Sequence, residues 1–371
     1  MAQLVLITGG AGFIGAHLSR RLLQSGCGVR VVDNLLPQVH GSGGRPGYLD
    51  ADVELVVADV RDADALGKAL VGVDRVVHLA ARVGVGQSMY QIADYTGANT
   101  EGTGVLLQAL LDQPVERLVV ASSMSVYGEG LYAREDGTPW PTAERTQDGV
   151  GAGQWDPVGP DDEALAPVPT PEWKPPSLSS VYALTKFDQE RLCLVFGAAY
   201  GVPTVALRFF NVYGPHQALS NPYTGVLAIF AARLLNGRPP LVFEDGEQRR
   251  DFVSVHDVAA ACTAALMSER AAGMVLNVGS GQSISVNEIA ARLGRLLGLP
   301  EIHAEVTGKF RVGDIRHCFA DVSLAREVLG YDRAVELDQG MAQLAGWLEG
   351  QVAIDRVEAA TSDLVARGLT R

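Results

Sequence analysis

Residues 4–15 read LVLITGGAGFIG, an apolar run that breaks on glycine and resumes as a helical pattern. Gly9, Gly12 and Gly15 are spaced three apart across that break. Downstream, Ile14, Leu18 and Leu22/Leu23 fall on one face of a helix over 13–24, and Gly26 stands where a helix-terminating glycine belongs. A helix N-terminus offers unpaired N–H groups and positive potential. Glycines there let the backbone approach a pyrophosphate and let helix and strand pack closely. A glycine turn also occurs without any ligand, so the context decides. The next apolar run, VRVVD at 29–33, ends in Asp33, 18 residues after Gly15. A carboxylate there accepts bonds from both ribose hydroxyls of a dinucleotide and repels a 2′-phosphate. The expected cofactor is therefore NAD.

Outward from this turn, the pattern repeats. VELVVADV (53–60), DRVVHLAA (74–81), ERLVVASS (116–123) and TVALRFFN (204–211) are apolar runs with helical stretches between most of them. That alternation predicts an α/β fold, a parallel sheet covered by helices on both faces. Asp59, after the third strand, is placed to meet the adenine edge, and Ala80 and Ala81 end the fourth strand beside the pyrophosphate. Residues 131–178, rich in Pro, Gly, Asp and Glu, interrupt the rhythm. They read as an ordered insertion or lid; a partly disordered loop is the alternative. The C-terminal half carries a helix at 225–236, LNVGSG and SVNEIAARLGRLLG. The tail from 351 has helical spacing and is assigned no function.

Composition narrows the function classes. A net charge of −13 argues against a nucleic-acid surface but not against a small anion held by a few arginines. The four cysteines (Cys27, Cys193, Cys262, Cys318) show no metal-like spacing and read as reduced thiols, so no metal site is expected. MAQLVLITGG lacks the basic start and the apolar length of a signal peptide. No stretch approaches the ~20 apolar residues of a membrane span. A cytoplasmic protein without membrane or nucleic-acid partners is expected.

Tyr182 and Lys186 stand at i, i+4 on a predicted helix and share a face. A free tyrosine, with a pKa of about 10, is a poor base at neutral pH. A neighbouring ammonium and a cationic nicotinamide both favour the phenolate, which can take a proton from a hydroxyl as hydride leaves the same carbon. A YxxxK pair on its own is more often a surface pair. Following a dinucleotide turn, it is read here as catalytic. Ser123 ends the strand RLVVASS, whose carboxyl end faces the cofactor crevice.

TGGAGFIG, HLAA, NTEGT, SSMSVYG, YALTK, RFFNVYGP, RRDFVSVHDV, NVGSG and VGDIR run in order from residue 8 to 316. In these the chain resembles the extended short-chain dehydrogenases/reductases, specifically the NAD-dependent nucleotide-sugar epimerase/dehydratase family. The resemblance implies a Rossmann-type doubly wound parallel sheet with a smaller C-terminal α/β substrate domain. It implies an NAD domain over 1–211 carrying the insertion 131–178, with helix 256–268 packing back on it. A nucleotide-sugar domain over 212–350 and a helical tail over 351–371 follow. The serine four residues before the VYG tyrosine, Ser123, is implied to be catalytic with Tyr182 and Lys186. Phe13, Ile14, Asn34, Val60, Leu79, Asn99, Ser122 and Phe209 are implied to join Gly9, Gly12, Gly15, Asp33, Asp59, Ala80 and Ala81 around the cofactor, with Tyr182 and Lys186. Ser123, Asn211, Val226, Arg250, Arg311 and Asp314 are implied to bind a nucleotide-diphosphate sugar; for the arginines a structural salt bridge is the alternative. Asp251, Asp257 and His256 read as structural, and Arg82 and Ser88 as candidates for the sugar pocket.

SSMSVYG also discriminates within the family. Dehydratases follow the threonine with Asp-Glu, and decarboxylases carry a glutamate two places on; here Met124 and Ser125 stand instead. A 4-epimerase is therefore expected, ahead of a reductase or dehydratase and of a non-catalytic dinucleotide sensor. PVPTPE, SSVYALTKFDQERLCL and LVFEDGEQRRDF resemble the dTDP-L-rhamnose 4-epimerase-like group. That group's insertion often carries paired cysteines. Residues 131–178 have none, which leaves a dTDP- or UDP-hexose open and excludes a thiolate metal site. The resemblance also implies a homodimer joined through helices near 100–112 and 181–198.

Overall fold

The computed structural model describes residues 2–41, 44–219, 221, 223, 225–311, 313–351, 355 and 357–370. Seven strands form the main sheet: β1 (Leu4–Thr8), β2 (Gly28–Asp33), β3 (Glu54–Val57), β4 (Arg75–His78), β5 (Arg117–Ser123), β6 (Thr204–Phe209) and β7 (Val275–Val278). They lie in the order β7-β6-β5-β4-β1-β2-β3, and every neighbour is parallel. Strand order reverses at β1/β4, so the crevice opens at the carboxyl ends of those two strands. The helices are α1 (Phe13–Gln24), α2 (Ala63–Ala69), α3 (Gly102–Asp112), α4 (Val181–Tyr200), α5 (Val226–Leu235), α6 (Val255–Met267), α7 (Val286–Leu296), α8 (Leu337–Leu348) and α9 (Val357–Ala366).

Strand alternation divides the core in two. Val5, Ile7, Val29 and Val31 face Leu18 and Leu22 of α1 and Val258, Cys262 and Ala265 of α6. Leu6, Val32, Val76, Leu118 and Val120 face Leu66 of α2, Leu106 and Leu110 of α3, and Cys193 and Phe196 of α4. Each fully buried leucine contributes about 1.5–3 kcal/mol, which is why these apolar runs were readable as strands. A third cluster joins α5, α7 and α8 through Leu227, Phe230, Ile289, Leu293, Met341 and Leu344. Ser285 and Glu288 close a capping box at the start of α7. Among the described residues no helix is long and apolar enough to cross a membrane.

Two expectations need correction. Val275–Val278 lies inside the stretch read as the substrate unit, yet it forms the edge of the main sheet beside β6. Its pattern, VLNV, is a buried-strand pattern, and Tyr127 donates to Asn277 Oδ1 at 2.7 Å to seat it. The insertion is ordered but is not a lid, since none of its described residues lines the central cavity. It forms a three-stranded antiparallel sheet (Leu131–Ala133 between Pro139–Trp140 and Ala166–Val168) around Tyr132, Ala143 and Leu165. Ion pairs on the buried guanidinium groups of Arg145 and Arg316 dock it. Arg145 meets Glu129 at 3.0 Å and Glu244 at 2.7 Å, while Arg316 meets Asp156 at 2.8 Å and Asp245 at 2.6 Å. These partners come from four separate segments, so no local pattern announces them.

Candidate active site

The crevice holds one continuous cavity of about 620 Å³, lined by the glycine turn at one end and by the C-terminal substructure at the other. Gly9 has φ +66°, and a Cβ there would stand 2.7 Å from Ala80 Cα. A Cβ on Gly15 would stand 2.4 Å from Gly10 Cα. Only glycine permits this approach of turn, helix and β4. Gly12 is the N-cap of α1 without a capping side chain, and the first turn holds no acid. The helix therefore leaves N–H groups and positive potential for an anion. Asp33 is buried at the end of β2, accepting the N–H of Ala11 at 3.1 Å and of Leu35 at 2.9 Å. Asp59 is gripped by Arg61 at 2.8 Å and Asn34 at 3.1 Å; the arginine holds its carboxyl well below the usual range.

Ser123 ends β5 paired with Phe209, and its Oγ accepts the Ser125 N–H at 3.2 Å. Its hydroxyl faces the phenol of Tyr182 and favours the phenolate. Tyr182 sits in the first turn of α4, where Ser180 caps the Ala183 N–H at 3.1 Å and Ser88 Oγ accepts the Tyr182 N–H at 3.0 Å. Ser88 is thus a brace for the tyrosine rather than part of the pocket wall. Lys186, one turn on, is buried behind the wall: its Nζ donates to Gln189 Oε1 at 2.7 Å. Gln189 Nε2 in turn reaches His78 at 3.0 Å and Ala80 O at 3.1 Å. Burial pushes Lys186 down to about 7, and burial together with Lys186 pushes His78 down to about 3. Burial raises Tyr182 above its ordinary value, and the Ser123 hydroxyl only partly offsets this. The expected depression of Tyr182 by Lys186 is therefore absent from the protein's own groups. Positive charge arriving with the cofactor has to supply it.

Gly9, Gly12, Phe13, Ile14, Gly15, Asp33, Asn34, Asp59, Val60, Leu79, Ala80 and Ala81 line the cavity, as do Ser123, Tyr182, Asn211, Val226, Arg250, Arg311 and Asp314. Four expected residues do not. Ser122 points to the opposite face of β5 from Ser123 and donates to Glu190 at 2.7 Å, part of a buried pair with Arg208. Phe209 is packed in the core and Phe210 lines the cavity instead, because adjacent residues take opposite sides. Asn99 spends its amide on the Arg82 backbone and Thr185 Oγ1, bracing the loop after β4. Lys186 is covered, as described. Asp251 accepts from Ser280, Gly281 and Ala320, and Asp257 from Ala334 and Val335; both are structural. Sequence reasoning missed His40, Arg61, Gln217, Gln248 and Tyr223, and all of α9. Gln248 lies within LVFEDGEQRRDF, where the motif drew the eye to the arginines; the others sit on short turns, loops or a tail without a motif, so only the fold brings them in.

The wall also carries unsatisfied polar atoms. Among the described residues, Asn211 Oδ1, Gln217 Oε1, Gln248 Oε1 and Arg311 Nε are buried without a hydrogen-bond partner, and each residue lines the cavity. The Arg311 guanidinium lies 4.0 Å over the Phe243 ring. Buried polar atoms of this kind call for a partner: the three amide oxygens accept, so they suit a ligand's hydroxyl or N–H groups, while Arg311 Nε donates and suits an anionic oxygen.

Known proteins resemble this chain over nearly its whole length. The chain is 38% identical over 349 residues to the dTDP-L-rhamnose 4-epimerase of Burkholderia thailandensis, covering 93% of this chain and 94% of that protein. The UDP-glucose 4-epimerase of Thermus thermophilus, solved in complex with NAD, superposes with a TM-score of 0.75 at 30% identity over 94% of this chain and 100% of that one. The UDP-glucose 4-epimerase of Thermotoga maritima, solved with UDP-glucose, gives a TM-score of 0.76 at 28% identity over 94% and 99%. The family profile matches residues 5–147 and 157–279, stepping over only the middle of the insertion, and on that match the chain belongs to the NAD dependent epimerase/dehydratase family.

Proposed function

We propose that the protein is an NAD-dependent nucleotide-sugar 4-epimerase acting on a dTDP- or UDP-hexose. One observation carries the choice of reaction. Among the described residues, the only carboxylates lining the cavity are Asp33, Asp59 and Asp314. Asp33 and Asp59 serve the glycine-turn end, and Met124 and Ser125 follow Ser123 at the reacting end. Removing water or CO₂ needs an acid or base beside the carbon next to the carbinol, and Met124 and Ser125, which follow Ser123, supply no carboxylate for it. Bound NAD supplies the group that takes hydride from C4 and returns it. Gly9, Gly12 and the N-terminus of α1 would hold its pyrophosphate, and Asp33 its adenine ribose. Ser123 positions O4, and Tyr182 takes the O4 proton and later gives it back. The keto sugar turns in the cavity between the two transfers, so hydride returns to the opposite face of C4 while the proton returns to O4. Arg250, Arg311 and Asn211 hold the diphosphate side in both poses.

The test is turnover of dTDP- and UDP-hexoses by the purified protein. The account expects an isomer of unchanged mass, formed with NAD but not with NADP in its place. A product lighter by water, or one requiring stoichiometric NADH, contradicts it. We assign residues 1–211 with α6 and β7 to the cofactor unit, most of 212–350 to the nucleotide-sugar unit, and the reduced thiols to a cytoplasmic setting. Leu111 on α3 and Leu184, Leu192, Val195 and Tyr200 on α4 are exposed, and we propose that these helices pair in a homodimer. Light scattering should then give twice the 39.3 kDa chain mass, and Val195→Arg should shift it to one chain. A monomeric wild type overturns that assignment.

A further inference from the structure

Two stretches of the cavity wall are held from behind. Phe243, Gln248 and Arg250 line the cavity from one stretch, Arg311, Asp314 and Ile315 from the other. The stretches touch each other. The Glu244 N–H donates to Lys309 O at 2.7 Å, and Arg250 Nη1 donates to Arg316 O at 2.9 Å. Glu244, next to Phe243, is buried and has φ +54°. That is the left-handed region, which a residue with a side chain keeps only where its surroundings hold it.

The insertion supplies the hold. Arg145 Nη1 donates to Glu244 Oε1 at 2.7 Å, its Nη2 to Asp314 O at 2.6 Å and its Nε to Glu129 Oε1 at 3.0 Å. One guanidinium therefore reaches both stretches. Its donors point in fixed directions, so it sets the distance between Glu244 and Asp314 as well as joining them. The insertion is docked without Arg145 too, since Asp156 meets Arg316 at 2.8 Å and His317 at 2.9 Å. No described residue of the insertion lines the cavity, so Arg145 can act on a ligand only through these neighbours. We propose that Arg145 is a positioning residue: through it the insertion spaces Phe243, Gln248 and Arg250 against Arg311, and so sets the affinity for the nucleoside diphosphate part of the substrate. The inference rests on the nucleotide-sugar reading above. The glycine turn lies at the other end of the cavity, so NAD affinity does not depend on this hold.

Calorimetric titration of the NAD-loaded protein with dTDP and with UDP tests this, with NAD affinity and melting temperature measured alongside. Arg145→Met should weaken whichever nucleotide the wild type binds by about 10- to 100-fold, the scale of one hydrogen bond to a charged group. KM for the nucleotide sugar should rise with it, while kcat and NAD affinity stay unchanged. Arg145→Lys keeps the charge but not the fork, and should recover part of the loss. Glu244→Gly removes the same link without backbone strain, because glycine takes a positive φ freely. It should weaken the nucleotide similarly, which covers the case of a poorly folded Arg145→Met. The double variant should bind no worse than the weaker single variant, since both changes break one link. A lower melting temperature with nucleotide affinity and KM unmoved is the result of docking alone and overturns the inference. An equal loss of NAD affinity, or losses that add in the double variant, also overturns it. A wild type that binds neither dTDP nor UDP and epimerises no dTDP- or UDP-hexose overturns the functional reading itself and the inference with it.

Discussion

Replacing Tyr182 with phenylalanine should lower kcat by about 10²–10⁴-fold, the usual cost of losing a general base, while leaving the fold and NAD affinity nearly unchanged. The ring is held by packing, with the Tyr95 ring edge-on at 6.4 Å. The phenol's polar influence comes from Ser123 at the reacting end. Removing one hydrogen bond costs folding about 0.5–1.5 kcal/mol. Thermal unfolding and NAD titration of the variant separate chemistry from stability. Near wild-type turnover on a substrate that the wild type epimerises would show that another group moves the O4 proton.

Gly15→Ala should be the most damaging single methyl in the chain for cofactor binding. Its Cβ would meet Gly10 Cα at 2.4 Å and Gly10 O at 2.5 Å, both backbone atoms that cannot rotate away. Either α1 or the phosphate turn must shift. Overpacking of this kind costs about 1–3 kcal/mol, so the NAD dissociation constant should rise about 10- to 100-fold if the turn yields. Gly67→Ala is the control. It lies within α2 with nothing within 4 Å of the added methyl, so NAD affinity should stay put and stability hold or rise. Equal NAD affinity in Gly15→Ala and wild type would mean that the glycine turn does not hold the cofactor.

The main sheet was legible because its strands are buried on both faces and read as unbroken apolar runs between helical patterns. Gly9, Gly12, Gly15 and Asp33 were legible for the same reason, since a strand–turn–helix places them without long-range information. Ser122 against Ser123, and Phe209 against Phe210, were not. Which of two neighbours faces the crevice is fixed by strand register, and the motif carries both. Val275–Val278 was misplaced because its partner, β6, is about seventy residues upstream and nothing local ties a strand to one sheet or another. The docking of the insertion and the arrival of α9 at the cavity wall are likewise pairings of distant segments. The raised pKa of Tyr182 has a different origin. Spacing shows that Lys186 shares its face but not that burial outweighs the ammonium, nor that Gln189 Oε1 accepts the hydrogen bond of the lysine Nζ.

The central claim is that one carbinol is oxidised and then reduced again at the same carbon. Substrate carrying deuterium at C4 tests it most directly, with products read by NMR and mass spectrometry after partial turnover. The account predicts that the epimer keeps deuterium at C4, with unchanged mass and no label appearing in solvent. Loss of the label to solvent, or its appearance at C3 or C5, would contradict hydride removal and return at C4.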